Sequence, residues 1–396
     1  MTPQALFVDY EGEGGSTMTR NPSIHRSPFS HSLVLLLLLT FIGLLAGCST
    51  ASTGGSPPPS VSAMKGTVSI FTLPTAASDP TALTAGPAGN VWFTEVSATS
   101  SGPSSKIGRI TPTGTMSEFP PSALQGNLGS ITLGPDGNLW FTDGGFSQGG
   151  KIGRITPTGI LQEFPLPASN SDPSSITAGP DDNLWFTDGS PGQIAKIEQI
   201  TPKGARREFL LPSSDSPGRI TAGPDGNLWF TETIIGPKTV NGPGPSGQIG
   251  RITPTGTIRT YPLPSGSLAG SITAGPDHNL WFAEEVMNSN GPSLDKIGRI
   301  SPTGTITEFT LPSGNPNGVR GGPLGITAGP DGALWFTDAA NNAIGRITTA
   351  GKISEFALPT PQSAPEQITS GPDGKLWFTE RGVNGQTGKI GSLTIT

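Results

Sequence analysis

From Val68 to the end of the chain, short segments of alternating apolar and polar residues are separated by clusters of Gly, Pro, Asp and Asn. Alternation with period two predicts half-buried strands, and the intervening residues supply tight turns. The segments recur in a fixed order. A first strand reads I-T-A-G-P, as at residues 220–224. A P-D-G-N turn leads to a second strand, N-L-W-F-T-E. A loop of variable length precedes a third strand, K-I-G-R-I-T. A P-T-G turn then opens a fourth, I-T-E-F-x-L-P.

The seven tryptophans mark the period. Trp92, Trp140, Trp185, Trp229, Trp281, Trp335 and Trp377 all occupy the W-F position of the second strand, 48, 45, 44, 52, 54 and 42 residues apart. Four short strands per unit at this spacing predict propeller blades, each burying its faces against two neighbours. The last unit ends after a third strand, and residues 68–74 (VSIFTLP) match the fourth strand at residues 353–359 (ISEFALP). The expectation is an all-β, seven-bladed β-propeller over residues 67–396, closed by the N-terminal strand completing the last blade. Closure removes sheet edges that would invite aggregation.

Composition now reads differently. The chain of 396 residues holds 57 Gly and 41 Pro, which excludes helical bundles. Without the repeat it would suggest disorder; with it, Gly and Pro are turns. A net charge of −6 with no basic stripe argues against nucleic acid.

Residues 33–46 (LVLLLLLTFIGLLA) follow Arg20, His25 and Arg26. This apolar run is shorter than the roughly 20 residues of a spanning helix and reads as a secretory signal. It leads into Leu45-Ala46-Gly47-Cys48, which resembles the bacterial lipoprotein box, where the cysteine is lipid-modified. Residues 1–48 are thus an extension and signal, with Met1 and Met18 as alternative starts. Residues 49–66, rich in Ser, Pro and Gly, form a tether. The expected location is extracytoplasmic, with the membrane as partner through Cys48.

Turns after first and third strands are uniform and lie on one face. Loop lengths vary on the other, as at residues 96–105, 233–248 and 285–296; this top face is where binding is expected. The acids after W-F-T, namely Glu95, Asp143, Asp188, Glu232, Glu284, Asp338 and Glu380, end on that face. They read as braces of their own blades, with a divalent-cation ring as the alternative. The tryptophans read as inter-blade packing, and the Arg of I-G-R-I as surface or inter-blade pairing.

The repeat, with W-F-T-D/E, I-G-R-I-T and E-F-x-L-P in order, resembles the virginiamycin B lyase (streptogramin B lyase) family. The resemblance implies a seven-bladed propeller that opens a cyclic peptide antibiotic by elimination across its ester, assisted by Mg²⁺. It also implies histidines at the lead-ins to the first strands of blades six and seven, in a P-H-x-I pattern. Leu324 and Glu366 stand there in this chain. Thr81 stands where the family has a Tyr, and Ala364 where it has a Glu. His25 and His31 belong to the export segment, and His278 sits in a bottom-face turn. The expectation is therefore a lyase scaffold without its histidines, with Glu366 as the remaining candidate base. Arg320 and Arg381 could neutralise charge beside it, and Glu380 with Asp338 could hold a metal. The ligand expected at the top face is a small cyclic peptide, and the chain is expected to be monomeric. Two alternatives stand: a non-catalytic propeller binding a peptide, glycan or envelope partner, and a Ca²⁺-dependent lactonase using top-face carboxylates.

Overall fold

The computed structural model describes residues 66–395, apart from 100–101, 120–125, 145–148, 168–170, 190–193, 213–215, 235–245, 265, 287–294, 313–321 and 383–385. The export segment with Cys48, residues 49–65 of the tether and Arg320 lie outside the described residues, while Gly66 opens the first strand.

Among the described residues, 28 strands form seven antiparallel four-stranded sheets. The innermost strands are β2 (Ser78–Ala85), β6 (Asn127–Leu133), β10 (Pro173–Ala178), β14 (Ser216–Ala222), β18 (Ser267–Ala274), β22 (Pro323–Ala328) and β26 (Pro365–Ser370). Each packs beside the next, and β26 packs beside β2, so the ring closes.

The seal is the one expected. β1 (Gly66–Thr72) pairs antiparallel with β28 (Lys389–Ile395), placing Phe71 opposite Ile390, and the last sheet runs β1-β28-β27-β26, with β27 spanning Leu376–Glu380. Phe71 stacks on Trp377 with ring centroids 5.9 Å apart. The same pair within one blade is Trp92 on Phe119 at 5.2 Å and Trp281 on Phe309 at 5.5 Å. The N-terminal strand thus supplies the aromatic that every other fourth strand supplies locally.

The core lies between blades. Trp92 of blade one, for example, packs with Leu128, Ile131, Leu139 and Phe141 of blade two. Within a blade, the Phe of W-F-T covers the Gly of I-G-R-I. A Cβ at Gly108 would come within 2.0 Å of the Phe93 ring, so a side chain there would displace the ring.

The bottom turns brace the tryptophans. Trp140 Nε1 donates to Asp136 Oδ1 at 2.9 Å, and the same bond recurs at Trp185, Trp229, Trp281, Trp335 and Trp377. Arg154 lies over the Trp140 ring, pairs with Asp136 at 3.4 Å and donates to Pro202 O of the next blade at 3.0 Å. The I-G-R-I arginine therefore stitches within and between blades. His278 is exposed with φ +57°, filling a turn position that favours glycine.

Candidate functional site

Each innermost strand carries a bulge on the way into the ring. On β26, Pro365 faces Glu380 while Ile368 faces Phe378, so one extra residue is inserted on that strand. Equivalent register shifts occur on all seven innermost strands. A bulge breaks the ladder and re-aims its residues. The bulge pairs are Thr81-Ala82, Gly129-Ser130, Ser174-Ser175, Gly218-Arg219, Gly270-Ser271, Leu324-Gly325 and Glu366-Gln367.

The W-F-T threonine repairs the broken ladder. Thr337 Oγ1 accepts from Gly325 N–H at 2.9 Å and donates to Glu366 O of the next blade at 2.8 Å. Thr142 and Thr187 repeat the arrangement. Blade five has Ala283 here and has no such hydroxyl. Gly325 is required by the same approach: a Cβ would sit 2.5 Å from Glu366 O.

Most bulge side chains are small. Larger ones cluster on one side of the ring, where Arg219, Leu324, Glu366 and Gln367 line a cavity of about 300 Å³ floored by Gly218, Gly270 and Ser271. Glu366 pairs with Arg381 at 3.0 Å, its side chain 26 % exposed. Burial raises its carboxyl above the usual carboxylate range, opposed first by Arg381 and then by Arg219. Arg219 is half-buried on the cavity wall. Desolvation draws its guanidinium below the usual arginine value, and Glu366 pulls the other way.

The sequence-selected residues divide between places. Leu324 and Glu366 share this cavity, and Arg381 reaches it through Glu366. Glu380 lines a separate cavity of about 90 Å³ with Ser363, Arg381 and Lys389. Burial raises its carboxyl despite the hydroxyls of Ser363 and Thr360 and the charge of Lys389. Asp338 accepts from Asn341 N and Nδ2 at 3.1 and 2.9 Å. Thr81 Oγ1 hydrogen-bonds Thr94 Oγ1 and Leu128 O at 2.8 and 2.9 Å. Ala364 holds φ +44° just before the β26 bulge.

All seven acids after W-F-T are 2 % exposed or less. Across the sheet, Glu95, Asp143, Asp188, Glu284 and Glu380 each face a third-strand lysine. Lys106, Lys151 and Lys296 also pair with the fourth-strand Glu118, Glu163 and Glu308 at 2.6, 3.2 and 2.7 Å. Among the described residues no three acid, His or Cys side chains converge as a cation site. The donor set for a family-type Mg²⁺ is thus not assembled: Glu366 is committed to Arg381, Asp338 to Asn341, and Glu380 lies in another cavity.

Sequence reasoning missed Arg219 and the threonine clip. The signal for Arg219 was present: its bulge position is Ala, Ser, Ser, Ser, Gly or Gln in the other blades, so it breaks the sevenfold symmetry.

The family model described as the virginiamycin B lyase family matches residues 61–240 and 195–396. A streptogramin B lyase structure is 34 % identical, covering 84 % of this chain and 98 % of that one, with a TM-score of 0.66. Virginiamycin B lyase from Staphylococcus aureus is 33 % identical, covering 84 % and 100 %, with a TM-score of 0.67. A catalytically inactive His-to-Ala variant of the S. aureus enzyme, solved with quinupristin, is 34 % identical with the same coverage and TM-score. No curated protein sequence matches the chain.

Proposed function

We propose, from the premise that this chain belongs to the virginiamycin B lyase family, that it is an exported, lipid-anchored propeller that binds a small cyclic peptide or comparable ligand at its channel mouth without histidine-driven elimination. One observation carries the reading: the two lead-in bulges hold Leu324, which cannot take a proton, and Glu366, which is tied to Arg381. Elimination needs a base within hydrogen-bond reach of the acidic carbon and a partner for the charge that develops. A neutral aliphatic side chain at one of those two positions leaves half of that pair unfilled. The cavity size matches the lower end of ligand pockets, about 300–1,000 Å³.

Export and anchoring rest on the apolar run at residues 33–46 and the Leu45-Ala46-Gly47-Cys48 box. Cys48→Ala should release the protein from membranes; continued membrane association of that variant refutes the anchor.

The test of the site uses quinupristin, the compound present with one relative. Purified full-length protein should shift its melting temperature upward with quinupristin and leave it intact, with or without Mg²⁺. Ring opening over time would overturn the non-catalytic reading. A second reading then applies, favoured by the raised Glu366 carboxyl: Glu366 acts as the base, and Glu366→Ala abolishes that turnover.

A further inference from the structure

Arg219 breaks the sevenfold pattern. It occupies a bulge position that elsewhere is small or neutral, on the wall of the central cavity. Its backbone N–H is held by Thr231 Oγ1 at 3.0 Å, which fixes where the side chain starts. Among the described residues its guanidinium makes no hydrogen bond and no ion pair within 4.0 Å. The other bulge-lining charge, Glu366, belongs to blade seven and has its own cation, Arg381, at 3.0 Å. The I-G-R-I arginines show the contrast: Arg154, Arg251, Arg299 and Arg346 each meet an aspartate of their own blade.

A half-buried guanidinium with no direct partner, facing a cavity, is available to take an anionic group of a ligand. Around it lie Ser271 as a hydroxyl, Leu324 as apolar wall, and glycines 218 and 270 that leave room. A guanidinium presents a planar fork that matches a carboxylate in two parallel hydrogen bonds. Glu366 and Gln367 stand on a different blade lining the same cavity, as acceptors for an amine or amide N–H of the same molecule.

We infer that the channel cavity is a carboxylate-recognition site, in which Arg219 grips the free carboxylate of an amino acid or short open-chain peptide and Glu366 with Gln367 receives its N–H groups. This rests on the reading above that the channel cavity binds a ligand, and changes that ligand from a closed ring to an open-chain acid. It selects ligands with a free carboxylate over neutral esters or amides of the same shape.

The experiment compares glycyl-phenylalanine with glycyl-phenylalaninamide by calorimetric titration of the full-length protein. The free acid should bind at least roughly tenfold tighter than the amide, and added salt should narrow the gap. Arg219→Gln should erase the preference, and Arg219→Lys should restore it only in part because an ammonium lacks the fork. The unliganded melting temperature of Arg219→Gln should equal or exceed that of the parent, because an unpaired charge has been removed. Equal binding of acid and amide, no binding of either, or an unchanged preference in Arg219→Gln overturns the assignment. A lower melting temperature in Arg219→Gln, with no acid preference in the parent, makes Arg219 a structural residue. Quinupristin measured in parallel separates the two readings: its binding without an acid preference keeps the channel as a ligand site and removes only the carboxylate.

Discussion

Replacing Thr337 by Val removes the hydroxyl that joins blades six and seven while keeping side-chain volume nearly constant. Thr337 is fully buried, and its Oγ1 accepts from Gly325 N–H at 2.9 Å and donates to Glu366 O at 2.8 Å. Both backbone groups sit at bulges, where the strand ladder is interrupted. A buried group left without its partner costs about 1–3 kcal/mol, so the two together should cost about 2–6 kcal/mol. That is a large share of a typical stability of about 5–15 kcal/mol. In a domain of this size it should lower the melting temperature by on the order of 5–10 °C. Urea denaturation and calorimetry measure both numbers. Blade five supplies the reciprocal test, because Ala283 stands where the other blades have Thr. Ala283→Thr should add about 1 kcal/mol by bridging toward Leu324 O. A Thr337→Val loss below about 0.5 kcal/mol, or a destabilised Ala283→Thr, would refute the view that this hydroxyl is the inter-blade clip.

Phe71→Ala should cost about 2 kcal/mol, less than a fully buried Phe→Ala because Phe71 is half-buried; Phe309→Ala, which breaks the same stack in blade five, should cost a similar amount. Calorimetry of both checks this, and a negligible Phe71→Ala effect would mean the seal adds little. Glu95 is pushed up to about 7 from 4.5, first by burial and then by Glu118, so in the folded protein it is protonated below about pH 7. Its contribution is full below pH 4.5 and is lost as pH rises through about 7, so Glu95→Gln should gain up to about 3 kcal/mol over the parent between pH 4.5 and 8. Urea midpoints across that range read the difference, and a pH-independent difference would contradict the assignment.

Much of this architecture was legible because it repeats. Seven W-F-T motifs at near-constant spacing specify seven sheets, and the match of residues 68–74 to 353–359 specifies which strand closes the ring. The register that sets five of the acids after W-F-T opposite third-strand lysines follows from strand order alone, whereas Glu232 faces Gln248 and Asp338 faces Ala343. The candidate site was legible only where the resemblance pointed, at Leu324 and Glu366. Arg219 lies 105 residues before Leu324 in the chain and was passed over, because nothing local in S-P-G-R-I marks it. Glu380 lines a different cavity and Asp338 accepts from Asn341, and neither lines the channel cavity with Glu366.

The sequence by itself determined the alternation, the turns, the number of blades and the strand that seals them, because each depends on local periodicity and on the need to bury both faces of every sheet. Tertiary structure alone decided which side chains share a cavity. Ring closure brings blades four and seven to one channel, and a single inserted residue per innermost strand turns Arg219 and Glu366 toward it. Those two facts are relations between distant backbone segments, which no local pattern encodes.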